Sequence, residues 1–313
     1  MVILGEIRTC LLHNSRPLPK AVVTELLGLK PGRRVRVSDR PVNLSVSPEL
    51  TVGVDCRLAS EPVVKTRGIG TVVSRAMVTG GVVLQASAGA TLSPAASDTR
   101  QGWSHYARRI GVVEVIGKAD AGQLALGHRT TGSGGGTLDL GAIGEHLLDV
   151  VQMRPQLDHT TAIRARTTRV RWSARCVAGD RSEPAVRLHV EDEVVRTIEL
   201  VVTAEQLGAV QRFCEDVALH DWLLTTLGNT IDQVARGDDD RIDVLASAVE
   251  RVVHLWMPGA HVDPAMQVLW DKLERQPGFS RQWGAQVAQI RDLVALRTLK
   301  ALEEARRRET ADW

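Results

Sequence analysis

Lysine is scarce in this chain. Only Lys20, Lys30, Lys65, Lys118, Lys272 and Lys300 occur among 39 basic residues, which leaves 33 arginines. Arginine suits bidentate contact with carboxylate and phosphate. A GC-rich coding sequence produces the same bias, so composition alone names no ligand. The net charge of +2 argues neither for nor against nucleic acid.

Aromatic residues other than tryptophan are nearly missing. Two Phe and one Tyr stand against seven Trp, so tryptophan must supply most aromatic packing. The four cysteines, Cys10, Cys56, Cys176 and Cys214, are far apart. With no C-x-x-C and no zinc spacing, they read as small apolar residues in a reducing compartment. No segment approaches the roughly 18 apolar residues of a membrane helix. The start, Met1 to His13, carries Glu6 and Arg8 and lacks the order of a signal peptide. A cytoplasmic protein with no membrane partner is expected.

Several signatures are absent too. Gly132–Gly136 precedes a helical pattern, but no Lys follows as a phosphate loop requires, and the spacing of a dinucleotide site is missing. Ser133 lies in G-S-G only, which is not a nucleophile elbow. Asp238, Asp239 and Asp240 lack the alternation of a calcium loop and fit helix capping better. No cofactor is called for.

What is present is a globular balance of 43% hydrophobic and 24% charged residues. The patterns predict an α+β protein: an N-terminal β-rich region of antiparallel strands over 1–202, then an antiparallel helical bundle over 203–313. Strand patterns cover Val2–Leu12, Arg33–Val37, Val42–Val46, Leu50–Leu58, Thr71–Met77, Gly80–Ala86 and Ile110–Ile116. Pro19–Leu29 and 141–153 carry helical spacing, and Gly80-Gly81 reads as a hairpin turn. Ala162–Cys176, Ala185–Val190 and Val194–Val202 are again strand-like.

At Thr203 the period changes from 2 to 3.6. Thr203 and Gln206 have capping-box spacing. Leu207, Val210, Cys214 and Val217 form one apolar face. A second helix carries Ile242, Leu245, Val249, Val252 and Trp256. A third starts at Asp263 and Pro264, and a fourth at Ser280 as cap, with Trp283, Val287, Ile290 and Val294 inward. Glu303–Arg308 reads as a frayed tail.

Two constellations could carry chemistry. Arg164, Arg166, Arg169, Arg171, Arg175, Arg181 and Arg187 crowd one stretch, with Trp172 available to stack. Arg164 and Arg166 share one strand face, and Arg169, Arg171 and Arg175 the other. This reads either as an anion or nucleic-acid surface or as an edge strand whose charges block edge-to-edge pairing. His220-Asp221 on a helix, with His254, His261 and Asp263 nearby, would be weak metal ligands for a hydrolase. Solvated histidines are the bland alternative.

The opening MVILGEIRTCLLHNS (1–15) and the later LHDWLLTTL (219–227) resemble an uncharacterised conserved family of Streptomyces and related actinobacteria, over most of the chain. These are family markers and carry no site residues. The resemblance implies membership of a multi-gene system with a methyltransferase-like protein and a variant P-loop protein as a possible protein partner. It implies no activity. The function expected is a non-enzymatic interaction or regulatory component, with the helices as docking face.

Overall fold

The computed structural model describes residues 1–61, 63–97, 99–130, 136–161, 163–176, 183–236 and 242–311. Most of the Gly132–Gly136 run lies outside these residues, as do Asp238–Asp240, Arg181 and Trp313.

The first apolar stretch forms β1 (Val2–Leu11), which sits inside the sheet and pairs on both edges. Among the described residues it is joined by β2 (Arg36–Ser38), β3 (Leu44–Val46), β4 (Leu50–Arg57), β5 (Arg67–Thr79), β6 (Val83–Pro94), β7 (Val112–Ile116), β8 (Thr168–Cys176), β9 (Ala185–Val190) and β10 (Val195–Val202). The order is β2-β3-β5-β7-β6-β1-β8-β10-β9, with β4 also on β5. β5 and β6 form the expected hairpin, and Gly80 and Gly81 turn it with φ of 62° and 69°, where a Cβ is unfavourable.

The sheet is mixed, which corrects the expectation of purely antiparallel strands. β7 runs parallel to β6, and β10 parallel to β8. β5 and β6 separate beyond their paired stretch, and β7 enters the gap. The chain between β6 and β7 includes α2 (Trp103–Ala107) and is long enough for a parallel crossover. The β9–β10 hairpin folds back so that β10 lies between β9 and β8, and β10 then takes the direction of β8.

Helices cover both faces. On one side lie α3 (Ala121–Thr130) and α4 (Leu140–Gln152), beside the short α1 (Lys20–Leu26). α3 escaped the sequence reading because Gly122 and Gly127 weaken its pattern. Gly127 serves close approach: a Cβ there would meet the Ser60 backbone at 2.5 Å.

On the other side lies α5 (Val210–Ala235), with α6 (Ile242–Val252), α7 (Gln267–Arg275) and α8 (Phe279–Ala311) outside it. Eighteen of the 26 residues of α5 are buried, far more than one apolar stripe. A helix buried nearly all round lies between two layers. Here they are the sheet, through Ile7, Val170, Trp172, Ile198 and Leu200, and the outer helices, through Leu245, Leu269 and Trp283. Tryptophan does the packing as expected: Trp256 stacks on Trp283 at 4.3 Å, and Trp270 on Phe279 at 6.0 Å.

Local corrections concern the helix ends. Gln206 accepts from the Thr203 N–H at 3.0 Å, and a tight turn, Leu207–Ala209, precedes α5. Ser280 lies inside α8's first turn and is no cap: its N–H and Oγ–H donate to Glu274 near the end of α7. Val294 is 48% exposed rather than inward. The supposed tail is helical to Ala311.

Candidate functional site

The arginine-rich stretch divides into two groups. β8 alternates, so Val170, Trp172 and Ala174 face α5 while Arg169, Arg171 and Arg175 face the α3 side. There they meet acids from neighbouring strands. Arg169 Nε lies 2.7 Å from Glu6 Oε1, and Arg171 Nε donates to Glu6 Oε2 at 3.3 Å. Arg175 and Arg129 hold Glu199 at 3.0 and 2.9 Å. β8 is flanked by β1 and β10, so it is not an edge strand. Trp172 is fully enclosed, which removes it as a stacking platform for a base.

Glu6 is the centre of this group and is 3% exposed. Burial pushes its pKa up to about 7, against the pull of Arg169 and Arg8. His128, Asp139 and Arg171 line a small cavity of about 30 Å³ beside it.

Arg164 and Arg166 precede β8 and go elsewhere. They line a cleft of about 590 Å³ together with His13 and with Arg236, which caps the C-terminus of α5. Arg166 pairs with Glu193, while Arg164 is exposed with no acid partner among the described residues.

Of the weak metal candidates, His220 and His261 both lie near Asp216, while Asp221 and His254 point elsewhere. His220 is buried, its Nδ1–H donates to the Asp216 carbonyl at 2.8 Å, and its ring meets Trp256 and Trp270 edge-on. Asp221 is the next residue on the helix and so turns about 100° away. It accepts from Arg196 Nε at 3.0 Å. His254 is exposed, and Asp263 caps the turn at Pro264–Met266. Among the described residues no group of three His, Cys, Asp or Glu side chains could hold a metal. Cys214 is fully buried and burial raises its thiol pKa, as a core residue requires.

The sequence reading missed a third place. α5 packs on β1, β8 and β6, and beside it, toward β3 and the end of β5, space remains between helix and sheet. The register sets Arg36, Val46, Met77 and Gln85 side by side across four strands. Between this row and α5 lies a cavity of about 180 Å³. Arg75 and Glu215 form a buried bidentate pair at its wall, at 2.9 and 2.7 Å. Arg212 Nε donates to the His261 carbonyl at 3.1 Å. Asp216 accepts from the Gly259 N–H at 3.3 Å, and burial raises its pKa. Burial lowers the pKa of His261, against the pull of Asp216. The one legible signal was a pair of acids, Glu215-Asp216, inside an apolar helix face.

Family models, characterised proteins and solved structures offer no match to this chain. Among the described residues, no helix is long and apolar enough to cross a membrane.

Proposed function

We propose that the protein is a non-enzymatic interaction component that docks through the distal half of α8. One observation carries this reading. From Val294 to Arg308 every residue of α8 is exposed except Arg297, which is half-buried. At 1.5 Å per residue, the stretch from 294 to 311 is about 27 Å of helix. Leu296, Leu299 and Leu302 are 58%, 59% and 63% exposed along it. Such a run of exposed leucines supports the reading of an interaction surface.

The occupant is a second copy of the chain. Asp292, Leu299 and Arg306 repeat every seven residues and so share one stripe. An antiparallel pair with its twofold axis at Leu299 sets Leu296 opposite Leu302 and Asp292 opposite Arg306, twice. A surface complementary to itself is what a twofold interface requires.

Light scattering across a concentration series tests this. The wild-type chain is expected to dimerise. Leu299→Glu should weaken the dimer roughly tenfold or more by burying a charge at the axis. Asp292→Arg should weaken it, and adding Arg306→Asp should restore it. A wild-type chain that stays monomeric at high concentration rejects self-docking, including the case where it binds the variant P-loop protein instead.

The Arg164 cleft favours a second reading as a polyanion binder. Three arginines, Arg164, Arg166 and Arg236, face two acids, Glu193 and Asp232. Salt-dependent retention on a polyanion column is expected, and replacing Arg164 and Arg166 with Gln should lower the log–log salt slope by roughly two. A slope unchanged by both substitutions removes this reading.

A further inference from the structure

The cavity between α5 and the outer strands has the makings of a ligand site. Its volume is ample for several waters. Thr79 lines it and is only 2% exposed, yet its Oγ has no hydrogen-bond partner. His261 lines it as well, and its Nε2 has no partner. Buried polar groups without partners are uncommon in folded proteins and call for an explanation.

The lining is two-sided. Val46, Met77 and Leu219 give an apolar wall. The charged groups do not balance: Arg36, Arg75 and Arg212 face Glu215 and Asp216, which leaves one positive charge over. Arg75 is committed to Glu215. Burial also raises the pKa of Asp216. Arg36, at the mouth, has no acid partner among the described residues.

We propose that this cavity binds a small organic anion, its charged head at Arg36 and Arg212 and its apolar body against Val46, Met77 and Leu219. The Thr79 Oγ and His261 Nε2 are nearly sealed from the cavity, so a small side-chain rotation would bring either to the head group. A carboxylate and a phosphate ester share the required chemistry.

Calorimetric titration of the full chain with benzoate, phenyl phosphate and inorganic phosphate tests the proposal. At least one of the two aromatic anions should bind in the submillimolar range, and the tighter of them identifies the head group. Inorganic phosphate lacks the apolar body and should bind roughly tenfold more weakly or worse. Arg36→Gln alters an exposed residue and should fold normally while losing affinity. Thr79→Val removes an unpaired hydroxyl at nearly constant shape, so it should lose affinity with no drop in melting temperature. Failure of both aromatic anions to bind at millimolar concentration overturns the inference. So does inorganic phosphate binding as tightly as phenyl phosphate, or binding that Arg36→Gln leaves unchanged.

Discussion

Trp172→Ala is expected to cost about 3–5 kcal/mol of folding stability, the range for deleting a large buried aromatic. Trp172 is 0% exposed and belongs to the cluster that joins the sheet to α5. Its ring occupies space that glycine vacates: a Cβ on Gly5, its cross-strand neighbour on β1, would overlap the indole. Folded proteins are stable by only about 5–15 kcal/mol, so this loss would be conspicuous in a denaturant titration. The indole N–H has no partner. Trp172→Phe therefore removes a polar group as well as volume and should cost less than the alanine change. Gly5→Ala should also destabilise the protein. In the Trp172→Ala background it should cost far less, because the overlapping ring is gone. Additive effects of the two changes would contradict this account of the core.

Stability should also fall as pH rises from about 4.5 to about 7, and Glu6 should be a main cause. In the unfolded chain its carboxyl ionises near 4.5, and in the folded protein near 7. Between these values the folded state binds more protons than the unfolded state, so the native state loses ground with each increment of pH. The difference corresponds to about 3 kcal/mol across the interval. The physical cause is removal of the carboxylate from water, which outweighs the attraction of Arg169 and Arg8. Glu6→Gln keeps the size and removes the titration. Denaturant midpoints for both proteins from pH 4 to 8 should diverge, with the variant showing the flatter profile. Parallel profiles would mean that Glu6 stays ionised throughout, held by its arginines.

Both predictions depend on pairings that no local pattern contains. The alternation in β8 placed Arg169, Arg171 and Arg175 together on one face, and the structure has them there. Nothing in the alternation said that Glu6 and Glu199 would stand opposite. Arg171 and Glu6 are 165 positions apart. The same limit explains the third cavity. Arg36, Met77 and Arg212 come from β2, β5 and α5, and only the register and the placement of α5 bring them together. It also explains why Arg164 and Arg166 were grouped with a strand they precede.

The chain by itself determined which segments extend and which coil. Backbone period, Pro and Gly breakers, and caps such as Asp263 act over a few residues, so the strands, the Gly80-Gly81 turn and the change near Thr203 could be read directly. Only the tertiary structure decided the order of the strands, the two parallel pairings, the burial of α5 between layers and the partner of each buried charge. Those outcomes depend on contacts between residues far apart in sequence. Their energies come from surface removed from water, and one-dimensional spacing does not encode that.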